Sequence, residues 1–278
     1  MVEPYEGEKL ERLTADAATV LARYPERPRS ALLPLLHLVQ SEDAYVSPDG
    51  IAFCARTLGL TTTEVSAVAT FYTQYKRHPN GTYTVGVCTN TLCAVLGGDA
   101  IFEELAEHLG VGHDETTPDG AITLEHIECN AACDYAPVMM VNWEFFDNQT
   151  PASATSVADR LRAGEDVAPT RGASSVCSFK AMSRVLAGFP DGRADEGVGA
   201  GGPTLAGLRL ARQRGWAAPA QPAHPDRDAE PATAAQQAPV KPVPGGEHSS
   251  VDTPSAPPAG GTADAPSGRE ADVANKEA

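Results

Sequence analysis

The sequence predicts an α/β (α+β) chain, with an N-terminal helical bundle followed by a small α/β layer. Three observations predict it. Up to about residue 77, apolar residues recur at helical spacing. After the turn signal His78-Pro79-Asn80-Gly81 the period becomes alternating, as in Tyr83, Val85 and Val87. Two cysteine pairs, Cys88-Thr89-Asn90-Thr91-Leu92-Cys93 and Cys129-Asn130-Ala131-Ala132-Cys133, then follow two such runs.

The helices come first. Leu10, Leu13, Ala17, Leu21 and Tyr24 make one amphipathic helix over residues 8–24, broken by Pro25 and Pro28. Ser30 is the expected N-cap of a second helix over 31–40, apolar nearly all round and so buried, with Pro34 about one turn in. Ser47-Pro48 starts a third, with Ile51, Cys54, Ala55 and Leu58 on one face and Gly59 as its stop. Thr61 and Glu64 form a capping box for a fourth, with Val65, Val68, Ala69 and Tyr72 inward.

The layer follows. A strand over 82–87 leads to Cys88, and Gly97-Gly98-Asp99 opens a helix over 100–109 that Gly110 ends. Residues 116–120 form a loop, and 121–127 a second strand ending near Cys129. Residues 138–141, very apolar, are the expected central strand, 142–146 a fourth, and 155–162 a short helix with Val157, Ala158 and Leu161 inward. The order β-α-β-β-β-α with a right-handed first crossover is that of a thioredoxin-like layer. Beyond it, Phe179, Met182, Val185, Leu186 and Phe189 suggest one short helix. Residues 217–278 hold eleven prolines and no Leu, Ile, Met, Phe, Tyr, Trp or Cys, too little apolar area to offset ordering entropy. The expected organisation is a bundle over 1–79, a thioredoxin-like domain over 80–170, and a mostly disordered Pro/Ala/Gly-rich tail over 171–278.

The net charge of −16 argues against nucleic-acid binding, which needs clustered Lys and Arg, and fits docking onto a basic or mixed protein surface. No stretch approaches the roughly 18 apolar residues of a membrane helix, so direct insertion is not expected. Residues 1–6 are acidic and lack an apolar core, unlike a signal or transit peptide. The six cysteines are thus expected in a reducing compartment, where pairs more often serve metal or redox chemistry than disulfides.

Cys88, Cys93, Cys129 and Cys133 sit two and two at strand ends. A [2Fe–2S] unit asks for that: two tetrahedral irons, each taking two protein sulfurs beside the bridging sulfides. A structural zinc site usually uses Cys-x2-Cys knuckles, and a catalytic dithiol uses Cys-x-x-Cys at a helix start. The x4 and x3 spacings suit both poorly, and residue chemistry favours iron–sulfur over zinc without excluding a zinc-stabilised interaction module.

Three blocks carry a resemblance. They are Cys88-x4-Cys93, then 35 residues, then Cys129-x3-Cys133-Asp134 with Ala136-Pro137-Val138-Met139; the stretch Ala31-Leu32-Leu33-Pro34-Leu35-Leu36-His37-Leu38-Val39-Gln40; and Glu64-Val65-Ser66-Ala67-Val68-Ala69-Thr70-Phe71-Tyr72. Together they resemble the thioredoxin-like [2Fe–2S] subunit (E-type, 24 kDa) of respiratory NADH:quinone oxidoreductase, complex I, over about residues 5–172. One departure is Asn130-Ala131-Ala132, where the family often has a glycine before the final Ala-Cys; the long Pro/Ala tail lies outside the core family and resembles actinobacterial versions.

The resemblance implies an electron-transfer subunit of an oxidoreductase, with no complete active site on this chain alone. It implies one [2Fe–2S] cluster on Cys88, Cys93, Cys129 and Cys133, exchanging electrons with the FMN of a partner flavoprotein subunit (51 kDa) that binds NADH. Other peripheral-arm subunits would be partners too, and the complex would sit in the cytoplasm against the inner face of the plasma membrane. The same module serves NAD-linked hydrogenases and formate dehydrogenases. Four thiolates and two sulfides around two ferric ions give a 2− site that becomes 3− on reduction, which favours a low potential unless hydrogen bonds to sulfur offset it. The expected donors are the backbone N–H groups of residues 89–93 and 130–133. Outside the site, His37 is expected as a hydrogen-bonded core histidine, Cys54 and Cys177 as free thiols, and Phe71, Tyr72 and Tyr75 as core packing more than a docking stripe.

Overall fold

The structure, a computed structural model, describes residues 5–218. Helices α1 (Gly7–Leu21), α2 (Leu32–Asp43), α3 (Pro48–Leu58) and α4 (Thr62–Phe71) form the bundle. Its core gathers Leu13, Ala17 and Val20 of α1, Leu35, Leu36 and Leu38 of α2, and Val65 and Ala69 of α4. Each buried leucine contributes about 1.5–3 kcal/mol. The caps form as the sequence specifies. The Ser47 side chain accepts from the Gly50 amide, Gly59 stops α3 at φ 65°, and Thr61 and Glu64 bond reciprocally. Ser30 is not the cap of α2. A 3-10 turn, Pro28–Ala31, leads into the helix, and Ala31 stands at its N-cap without a side-chain bond. Tyr72 closes α4 in an extended conformation and is 43 % exposed, not inward.

The layer is one five-stranded sheet in the order β2-β3-β1-β4-β5. Its strands are β1 (Tyr83–Cys88), β2 (Glu115–Thr116), β3 (Ile122–Ile127), β4 (Met139–Val141) and β5 (Glu144–Phe146). β1 runs parallel to β3 and antiparallel to β4. The middle strand is therefore β1. The expected centre, β4, lies between β1 and β5. Apolar content misled here, because the second face of β1 is buried through polar residues. Thr84 takes a bond from Asn80 and Gly86 packs under Ile127, where an added Cβ would sit 2.6 Å from Cγ2.

The first face holds Val85, Val87, Ile122, Leu124, Met139 and Val141 under α6 (Gly98–Leu109) and α7 (Pro151–Arg162). On the second face Lys76, from the segment after α4, ion-pairs with Glu125 of β3 and ties bundle to sheet. Two further pieces were not foreseen: α5 (Thr91–Val95) and the two-residue β2, both too short to show a period.

Residues past 170 join the same compact unit. Helix α8 (Phe179–Leu186) packs on α2, with Phe179 fully buried and Arg184 paired to Asp16 through both carboxylate oxygens. Helix α9 (Ala206–Gln213) follows. Backbone bonds from Thr170 to Phe145 and from Phe179 to Thr82 also tether this segment, so helices α8 and α9 fall inside the stretch expected as tail from 171. The low-complexity stretch from residue 219 lies outside the described residues. Among the described residues no helix is long and apolar enough to cross a membrane.

Candidate metal centre

Cys88 is the last residue of β1, opposite Ile127 of β3, and its amide donates to the Val138 carbonyl at 3.1 Å. Cys93 lies in α5, one turn further on. Both are 3 % exposed. The chain can turn this tightly because of two glycines. Gly97 sits at φ 109°, and a Cβ on Gly98 would lie 2.5 Å from the Cys88 carbonyl oxygen and 2.9 Å from that of Cys93. Helix α6 thus begins in direct contact with the backbone that carries both thiols.

Cys129 and Cys133 come from a different kind of structure. They bracket a loop after β3, and Cys133 opens a 3-10 turn, Cys133–Tyr135. Both are exposed. Ala131 adopts φ 54°, the left-handed conformation that costs a non-glycine residue about 1–2 kcal/mol. The loop therefore keeps a glycine-like bend although alanine stands there. The Ala136–Pro137 bond just beyond is cis.

The fold brings all four cysteines to one place. Cys129 Sγ and Cys133 Sγ are 3.7 Å apart, far from a disulfide's length. Cys88 and Cys133 both lie near enough to Cys93 to disfavour its thiolate, and Cys88 does the same to Cys133. Burial, then the neighbouring thiols, push the Cys93 thiol up to about 11. The bond and charge of Cys129 push Cys133 up. Four thiolates here would repel one another, so the set ionises fully only around cations. The Val138 amide favours the Cys93 thiolate. That donor falls outside the two expected backbone runs.

Ala132 and Val138 complete the apolar pocket around Cys88 and Cys93, with Ile127, Tyr135, Ala136 and Phe145 against it. Sequence reasoning missed Phe145 and Tyr135 as walls, although Tyr135 stands only two residues past Cys133. Among the described residues no group of three or more His, Cys, Asp or Glu side chains is arranged to hold a single metal ion. A two-iron centre does not ask for one, since each iron takes only two protein sulfurs. A cleft of about 570 Å³ adjoins the cysteine loop and is lined by Lys76, Glu125, Glu128 and Asn130, but by none of the four cysteines.

The other singled-out residues separate from this site. Cys54 is fully enclosed in the bundle and burial pushes its thiol up to about 12. Cys177 is half-buried and also raised by burial. His37 is buried against Tyr75, with ring centroids 4.8 Å apart, but its Nδ1 has no hydrogen-bond partner, so the expected bond is missing at that atom. Of the three aromatics only Tyr75 is core, donating its hydroxyl to the Leu33 carbonyl at 3.0 Å. Phe71 is 78 % exposed.

The thioredoxin-like [2Fe-2S] ferredoxin family profile matches residues 17–162. The E-type subunit of NADH-quinone oxidoreductase from Mycobacterium tuberculosis is 65 % identical over 219 residues, 78 % of this chain and 86 % of that protein. NADH-quinone oxidoreductase subunit 2 of Thermus thermophilus is 40 % identical over 146 residues, 52 % of this chain and 81 % of its own. Among solved structures, an NAD+-reducing [NiFe]-hydrogenase aligns at 20 % identity and a TM-score of 0.44, over 48 % of this chain and 23 % of its own. The chain belongs to the thioredoxin-like [2Fe-2S] ferredoxin family and, within it, to the E-type subunits of NADH-quinone oxidoreductase.

Proposed function

We propose that this chain is the electron-transfer subunit of a multisubunit NADH-quinone oxidoreductase, in which Cys88, Cys93, Cys129 and Cys133 hold one [2Fe–2S] cluster facing the FMN of a flavoprotein partner. The observation that carries this is the meeting of four thiols, in two pairs, at one end of the sheet. The donor set fits the group. Two sulfurs each about 2.3 Å from one tetrahedral metal lie about 3.7–3.8 Å apart. The 3.7 Å between Cys129 and Cys133 would let these two share one metal, which would leave Cys88 and Cys93 for the other. When bound, the cluster supplies a one-electron redox centre.

The chain's residues do the rest. Cys88 and Cys93, fixed by β1 and by the contact at Gly98, set the position of the centre in the fold. The Val138 amide supports the Cys93 thiolate. Ala132, Val138, Tyr135 and Phe145 keep water from the buried pair. Cys129 and Cys133, exposed, present the other side outward, where a partner's flavin can come within electron-transfer reach. NADH chemistry belongs to the partner. No G-x-G-x-x-G follows a strand here. The complex is expected as a peripheral assembly at the inner face of the plasma membrane.

The test is reduction by NADH. The isolated, cluster-loaded chain should stay oxidised when NADH is added, and should be reduced once the flavoprotein subunit is supplied. Reduction of the isolated chain by NADH, or none in the reconstituted pair, would count against this assignment.

A further inference from the structure

A buried cation stands behind the thiol pocket. The Arg171 guanidinium carbon lies 3.8 Å from the centre of the Phe145 ring and 5.0 Å from that of Tyr135. Both rings pack against the cluster formed by Cys88, Cys93, Ala132 and Val138. The guanidinium thus contacts two of the rings that wall the cluster holding Cys88 and Cys93. Three contacts fix it there. Nε donates to Asp147 Oδ2 at 2.9 Å, Nη1 donates to the Gly199 carbonyl at 2.8 Å, and the aromatic faces clamp the plane. Its side chain is 15 % exposed and that of Asp147 6 %. Satisfaction is incomplete, since Nη2 and Asp147 Oδ1 are both buried without a partner. A desolvated ion pair with open valences adds little to stability, so packing alone accounts poorly for it.

We propose that Arg171 tunes the reduction potential of the cluster, a role that rests on the four cysteines being its ligands. One electron passes from the partner's flavin to the site, whose charge goes from 2− to 3−, and no bond to protein forms or breaks. A fixed positive charge behind the pocket stabilises the 3− state more than the 2− state and raises the potential. Water screens it poorly because the side chain is largely buried and clamped on Phe145 and Tyr135. Asp147 partly cancels the effect and has the opposite sign. Sequence reasoning could not find this pair, because Arg171 and Asp147 are 24 residues apart and Arg171 lies beyond the family-matched segment. Arg171 is a positioning residue in this role and touches no sulfur.

The experiment is a redox titration of the full chain followed by electron paramagnetic resonance, with a thermal melt alongside. Arg171→Met should move the reduction equilibrium about tenfold toward the oxidised form, a potential lower by about 59 mV for one electron. Arg171→Lys should keep the potential close to that of the unmodified chain while lowering the melting temperature, because the charge stays and the stacking is lost. Asp147→Asn should raise the potential. Equal shifts for Arg171→Met and Arg171→Lys would mean loosening of the pocket and would overturn the proposal, as would an unchanged potential in Arg171→Met. If Arg171→Met fails to retain a cluster, Asp147→Asn decides by the sign of its shift, and a zero or downward shift refutes it. Failure of the ligand assignment would look different, as an unmodified chain with no iron–sulfur signal at all.

Discussion

Two regions of this chain bury cysteine, and they do opposite things with it. In the bundle Cys54 is fully enclosed by apolar side chains, and its thiol is pushed up to about 12 by burial. It behaves as a small hydrophobe. In the α/β layer Cys93 is nearly as buried, but Cys88 and Cys133 are its neighbours, and its thiol is held up to about 11 by burial and by them. Burial alone therefore does not make a site. What separates the regions is the company of other thiols and an opening on one side, through Cys129 and Cys133.

The sharpest way to break this comparison is to exchange sulfur for oxygen in each region. Cys133→Ser should remove most of the bound iron, since an alkoxide is a harder and poorer ligand, yet leave the apo fold intact because the position is exposed. Cys54→Ser should leave the visible spectrum unchanged and cost about 1–3 kcal/mol of stability, because a hydroxyl would be buried without a partner. A lost spectrum in Cys54→Ser would put the ligand set in the wrong region.

Acid probes the bundle separately. Burial depresses the His37 pKa to about 4, below its unfolded value of about 6.5, so the unfolded state takes up the proton first. The stability tied to neutral His37 is complete above about pH 6.5 and is lost as pH falls toward about 4, a change on the order of 3 kcal/mol. Chemical denaturation of the apo chain across that range should show the loss, and His37→Phe should flatten it. An equal slope in the variant would place the acid sensitivity elsewhere.

Backbone geometry in the layer gives two smaller effects. Gly98→Ala should cost about 1–3 kcal/mol and lower iron content, since its Cβ would collide with the Cys88 and Cys93 carbonyls. Iron content equal to that of the unmodified chain would show that α6 does not position the buried pair. Ala131→Gly should stabilise the cysteine loop by about 1 kcal/mol by relieving φ 54°. Slower release of iron to a chelator would report it, and faster release would contradict it.

Much of this was legible in the residues. Caps at Ser47 and Thr61 and the stop at Gly59 act locally, and local chemistry survives folding. The four cysteines could be singled out because their spacing matched neither zinc knuckles nor a redox dithiol. What was not legible depends on distance along the chain. The centrality of β1 rests on its pairing with both β3 and β4, which no window of sequence contains. The exposure of Tyr72 follows from where α4 stops, and a helical wheel continued past that stop turned it inward. The short helix at Phe179 was legible from its spacing, but its packing on α2 joins segments far apart in the chain. The clamp on Arg171 joins residues 135, 145, 147 and 199, and none of them predicts the others.

The most direct measurement is the electron paramagnetic resonance spectrum of the purified chain after dithionite, read with its iron, sulfide and zinc content. One S = 1/2 signal per chain, with two irons and two acid-labile sulfides, is the predicted result. A silent sample carrying stoichiometric zinc would contradict the assignment of Cys88, Cys93, Cys129 and Cys133 to an electron-transfer centre.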